Sequence, residues 1–121
     1  TRFEESLALW QELEDQQGIA FTWACLARQA DMLSESALAR SLAEASLDRY
    51  RELGDSWGIA FALKLLGAVH KNRGDYATAR PLTEASLVRY RELGDAWGIS
   101  DALSYSSEIA IYQHDYLVAR A

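Results

Sequence analysis

Leu42-Ala43-Glu44-Ala45-Ser46-Leu47-Asp48-Arg49-Tyr50-Arg51-Glu52-Leu53-Gly54-Asp55-Ser56-Trp57-Gly58-Ile59 returns forty residues later, almost unchanged, as Leu82 to Ile99. Residues 41–80 laid over 81–120 give 21 identities in 40 positions, a level that chance does not produce. The first forty residues have diverged further, yet Glu4, Ser6, Leu7, Glu12, Leu13, Asp15, Gly18, Ile19, Ala20 and Phe21 keep register with the second unit. Three units (1–40, 41–80 and 81–120) plus one residue account for all 121 residues, so the chain reads as one repeat array, 1–121.

Within each unit, apolar residues recur at three- and four-residue spacing, the period of a helix with one buried face. The breaks carry stop and start chemistry. Gly54 can take the left-handed conformation that ends a helix, and Asp55 can accept the free amide hydrogens that open the next. Gly94-Asp95 repeats the signal, and Gly74-Asp75 supplies it at the other junction. These signals predict about six helices, over 2–14, 16–33, 35–53, 56–73, 75–93 and 96–113. Connections of one or two residues force neighbours antiparallel, so the expected fold class is all-α, a right-handed α-solenoid of antiparallel helical hairpins. Pro81 falls inside the fifth predicted helix, where its missing N–H predicts a local bend and not a break.

Composition narrows the function classes. With 12 basic and 18 acidic side chains the net charge is −6, which argues against nucleic acid and anionic membranes as partners. No run of 18 apolar residues and no basic-then-apolar leader is present, so a cytoplasmic location is expected. The absent initiator Met and the abrupt end suggest a piece of a longer protein. Cys25 is alone and reads as a small core residue; His70 reads as partly buried filler and His114 as solvated. No phosphate-cradling glycine loop, nucleophile elbow or His-Glu-x-x-His pair occurs. The acidic residues Glu4, Glu5, Glu12 and Glu14 lie at the spacing of a solvated helix face. No catalytic residue, cofactor or metal is expected.

The second unit contains Leu63-x-x-Leu66-Gly67-x-x-His70, then Gly74-Asp75-Tyr76 and Ala79, with Thr83 where a large apolar residue is usual. The first offers Trp23-x-x-Leu26-Ala27-x-x-Ala30 with Ala39 and Ala43, and the third offers Leu103-x-x-Ser106-Ser107-x-x-Ala110 with Tyr116 and Ala119. On these residues the chain resembles the tetratricopeptide repeat family. The forty-residue period and the Leu-Gly-Asp-x-Trp-Gly-Ile junction are similar to the sensor arrays of bacterial signal-transduction ATPases and maltose-activator-type regulators. The resemblance implies a non-catalytic protein–protein interaction or sensor module inside a larger bacterial regulatory protein. It implies that the first helix of each hairpin lines a concave groove for a peptide or for a partner domain, which could be another domain of the parent chain.

Taking Trp23, Leu63 and Leu103 as inward, helical spacing places Phe21, Arg28, Asp31 and Met32 in that groove. The next unit contributes Phe61, Lys64, Lys71 and Asn72, and the last contributes Asp101, Ser104, Glu108 and Tyr112. The strip is expected to run from basic and apolar to acidic and aromatic, and it is also where the second and third units differ most. A tail-clamping mode like that of chaperone-binding relatives does not fit, because Ala68 stands where an Asn belongs and Asp101 and Glu108 oppose an anionic tail. Reversing the charge of Lys64 and Lys71 together is expected to abolish binding at unchanged thermal stability. Trp57 and Trp97 form one column and Trp10, Tyr50 and Tyr90 another; both are read as packing between repeats. The alternative function is a structural spacer or a self-association element, a homo-oligomer joined through uncapped ends where Leu103, Ile109 and Ile111 meet water.

Overall fold

The computed structural model describes residues 2–120, with side chains placed for all of these except Phe3, Leu7, Trp10 and 115–120. Five helices follow one another: α1 (Arg2–Met32), α2 (Ser36–Leu53), α3 (Ser56–Asn72), α4 (Tyr76–Leu93) and α5 (Ala96–Arg120). The fold is all-α. Each helix packs on its successor, α1 also touches α3 and α3 touches α5, whereas among the described residues the backbones of α2 and α4 make no such close approach. One layer therefore consists of α1, α3 and α5, and α2 and α4 lie on its other side, each wedged between two members.

The junctions explain this order. Gly54 adopts φ 66° and Gly94 φ 68°, and each donates its N–H back into the ending helix. Asp55 then accepts from Gly58 N at 3.0 Å, and Asp95 from Gly98 N at 3.1 Å. Asp75 plays the same part for α4, accepting from Thr78 N at 3.3 Å. Hydrogen bonding from Thr78, reinforced by the neighbouring His70 imidazole, holds the Asp75 carboxyl below the ordinary carboxylate range. At the corresponding place in the first unit, Ser34 takes the left-handed conformation at φ 62° without being glycine, and Glu35 opens α2 with no side-chain cap. A left-handed serine is strained by about 1–2 kcal/mol. Ser34→Gly is therefore expected to raise stability by about 1 kcal/mol, read as a higher urea midpoint at unchanged slope.

Two expected breaks do not form. The helices predicted over 2–14 and 16–33 are one 31-residue helix, because Glu14 stands where Gly54 and Gly94 turn the chain. Likewise α5 continues to Arg120, since His114 replaces Gly74 in front of Asp115 and nothing at that place favours the left-handed turn. α4 runs through Pro81 uninterrupted. Ile109, expected at the surface, is fully buried, whereas Leu103 and Ile111 are exposed as expected.

The core repeats with the sequence. Ala20, Leu47, Tyr50 and Ala62 sit in one cluster shared by α1, α2 and α3. Their counterparts forty residues on, Ala60, Leu87, Tyr90 and Ala102, form the next. Buried hydroxyls fasten the helices of each hairpin: Ser46 donates to the carbonyl of Ala20 and Ser86 to that of Ala60, both at 2.7 Å. The Tyr50 ring lies against Gly58 and the Tyr90 ring against Gly98, so closely that an added Cβ would stand 2.0 and 2.1 Å from ring carbon. Burial pushes the Tyr50 phenol up to about 12 and raises Tyr90 as well, so both stay neutral at physiological pH. Gly67 provides the close approach of α3 to α4. Thr83, 2.6 Å from where its Cβ would be, fills the place of the large apolar residue and donates to Ala79 O.

Candidate functional site

The shared face of α1, α3 and α5 carries the residues that spacing assigned to a groove. Its first feature is an aromatic stack built by the forty-residue register. Phe21 and Phe61 occupy the same position in successive units and stack at 5.7 Å, and Trp57, one turn before Phe61, closes the set at 5.1 Å from Phe61 and 6.5 Å from Phe21. The stack keeps an open face, with Phe21 and Trp57 each about 40% exposed. At the same time the indole N–H of Trp57 donates to Asp95, the cap of α5, at 3.1 Å. Gln17 in the first unit donates in the same way to Asp55, at 3.4 Å. This column thus ties one unit to the next, as expected for packing, whereas Trp97 is 85% exposed.

Beside the stack lies a depression of about 280 Å³ lined by Arg28, Phe61, Lys64, Asp101, Ser104 and Glu108. A second, of about 240 Å³, continues from it and includes Arg28, Asp31, Met32, Lys71 and Asn72. The structure therefore brings eleven of the twelve predicted groove residues onto one continuous surface, with Phe21 joined to it through its ring contact with Phe61. Tyr112 is the exception: its ring stacks on Tyr76 of α4 at 6.0 Å and borders neither depression. Tyr105, absent from the expected set, borders both. Its aromatic ring receives the Lys71 ammonium at 4.8 Å, a contact between helices that spacing along one helix does not reveal.

The expected gradient of charge is cancelled across the helices. Lys64 reaches Asp101 at 3.2 Å, Lys71 reaches Glu108 at 2.5 Å, and Asn72 donates to Asp31 at 2.7 Å. The Lys64 ammonium also lies 5.1 Å from the Phe61 ring centroid and 5.9 Å from that of Tyr90, and its side chain is only 9% exposed. Lys64 and Lys71 thus help to hold α3 against α5. Among the described residues Arg28 alone of the predicted cations has no carboxylate partner, and it stands exposed where the two depressions meet. An anion arriving here would meet a guanidinium with its five donors uncommitted.

Among the described residues no group of three or more His, Cys, Asp or Glu side chains could hold a metal ion. Cys25 is half-buried. The His70 Nδ1 lies 3.3 Å from the Asp75 carboxylate that caps α4. Among the described residues no helix is long and apolar enough to cross a membrane. No protein-family model matches this chain, and neither the curated proteins nor the solved structures contain a match to it.

Proposed function

We propose that this chain is a non-catalytic binding module of the tetratricopeptide kind, part of a larger regulatory protein, whose α1–α3–α5 face holds an extended segment of a protein partner. The observation that carries this reading is the juxtaposition of an open aromatic stack with an uncommitted arginine on one surface. The α2 and α4 residues recur from unit to unit as scaffold, while the surface positions change chemistry at each step: Phe21, Phe61 and Asp101 share one position, and Arg28, Ala68 and Glu108 share another.

The spacing sets what the segment looks like. Phe21 and Arg28 are seven residues apart on α1, about 10 Å along its axis. An extended chain covers about 10 Å in three residues. The fitting ligand therefore carries an apolar or aromatic side chain for the stack and a carboxylate three residues away for Arg28. Bidentate guanidinium–carboxylate pairing supplies the directional contact, and ring stacking supplies the buried area.

Selection of a displayed random-peptide library against the full chain tests this. Enriched peptides are expected to show that apolar–acidic spacing, and both Arg28→Glu and Phe21→Ala are expected to weaken a selected peptide by about tenfold or more. Arg28→Glu removes no internal ion pair, so its thermal midpoint stays within a few degrees of wild type, whereas Phe21→Ala loses its ring contacts with Phe61 and Trp57 and is expected to lower the midpoint moderately. Peptides that bind both variants as tightly as wild type would reject the reading.

A further inference from the structure

The unbroken α1 leaves a face of the first hairpin without the cover that the next hairpin has. In the second unit Gly58 lies under the Tyr50 ring, Ile59 is 7% exposed and Leu66 6%, all three sheltered by α2. Their counterparts in the first unit are bare. Gly18 has no atom within 4 Å of its would-be Cβ, Ile19 is 38% exposed, and Leu26 is 43% exposed. Leu26 also lines, with Ala30, Leu33, Leu38 and Leu42, an apolar depression of about 340 Å³ between α1 and α2.

The chain itself states what fills such a face. Residues 2–14 are the first unit's version of α2: Glu4, Ser6, Leu7, Glu12 and Leu13 match Glu44, Ser46, Leu47, Glu52 and Leu53, and Trp10 stands for Tyr50. In the observed α1 this segment runs on in line with residues 16–32, leaving Leu9 and Leu13 exposed. It cannot shelter its own helix, since residues 10 and 18 of one straight helix are about 12 Å apart along the axis. We propose that residues 2–14 of a second copy of this chain cover the Gly18–Leu26 face, and reciprocally, in an antiparallel two-fold dimer of α1 helices.

The register follows from the second unit. Residue 50 meets residue 58 across the turn at 54, so residue 10 of one copy meets residue 18 of the other, with the two-fold axis beside Glu14. The contacts are those of the α2–α3 corner, exchanged between chains because Glu14 replaces the glycine that would turn the chain back. Such an interface is self-complementary and closes on itself. It rests on Gly18, Ile19 and Leu26 and not on Phe21 or Arg28, and its test reads association of the chain and not capture of a peptide.

Light scattering on the full chain over a dilution series is expected to show twice the 13.5 kDa chain mass when concentrated, falling toward one chain mass on dilution. A single-chain mass throughout overturns the proposal. Gly18→Ala separates the two states sharply. In an isolated chain it adds a helix-favouring methyl in open space and raises the thermal midpoint. In the dimer the methyl enters the interface opposite residue 10 of the partner copy and weakens association by roughly tenfold or more. An unchanged dimer in that variant rejects the register.

Glu14→Gly restores the turn signal and is expected to yield a monomer with its own arm folded back; a dimer of undiminished strength there overturns the exchange. Finally, Trp10→Cys with Gly18→Cys, in a Cys25→Ser background, is expected to give a covalent dimer on oxidation. A link confined to one chain, or no link, contradicts the proposed antiparallel pairing.

Discussion

Gly58→Ala is expected to lower the stability of the fold by about 3 kcal/mol, and Gly98→Ala to do nearly as much. Alanine is normally the better helix residue by about 1 kcal/mol, so propensity alone predicts the opposite sign. Geometry decides the outcome. A Cβ at either place would lie about 2 Å from a tyrosine ring carbon, and among the described residues those tyrosines are the largest fully buried side chains, in a close-packed interior that resists displacement. The ring must leave its site or α2 must separate from α3, and each course opens the cluster formed by Ala43, Leu47, Ile59 and Leu63. Thermal unfolding followed by circular dichroism checks this, with a fall of roughly 10 °C or more expected for a chain of this size. A rise in the midpoint for Gly58→Ala would show that the Tyr50–Gly58 contact does not govern the α2–α3 corner.

Lys64→Glu is expected to cost about 2–3 kcal/mol of folding stability, chiefly because it sets a carboxylate, nearly shut off from water, beside Asp101. The lysine ammonium now sits 3.2 Å from that carboxylate and near the Phe61 and Tyr90 rings, so the variant loses attraction and gains repulsion at once. Exchanging the charges, with Asp101→Lys added, is expected to recover more than half of the loss, and a double-mutant cycle in urea isolates the coupling. Lys64→Met keeps the apolar stem and is expected to stay within about 1 kcal/mol of wild type. The joint charge reversal of Lys64 and Lys71, attractive on sequence grounds as a test of binding, therefore damages the scaffold. Arg28 is the better probe, because its removal leaves no buried carboxylate alone.

These two sites mark where the sequence was legible. The period of forty, the Gly-Asp junctions and the repeated Tyr and Gly positions are local or periodic signals, and each maps onto an observed cap, turn or cluster. Membership of the α1–α3–α5 face could also be read, because Phe21, Arg28, Phe61 and Ser104 share a helical face whatever their neighbours do. What could not be read was interaction between helices. Lys64 with Asp101 and Lys71 with Glu108 are both 37 residues apart, and a list of faces does not tell a free charge from a paired one. Tyr112 shows the same limit, since its helical position allowed the groove but Tyr76 on α4 draws its ring away. The turn expected at residues 14–15 fails to form for a different reason. Asp15 supplies a start signal, but without a residue suited to φ > 0 before it the helix continues, whereas Ser34 accepts that strain at the next junction.

The claim that matters most is that recognition belongs to the α1–α3–α5 face, and amide chemical-shift mapping of a selected peptide on isotopically labelled protein tests it most directly. The largest changes are expected at Phe21, Arg28, Phe61, Lys71, Ser104 and the Trp57 indole, with α2 and α4 nearly silent. Largest changes along α2 and α4, with Arg28 and the aromatic stack unmoved, would contradict it.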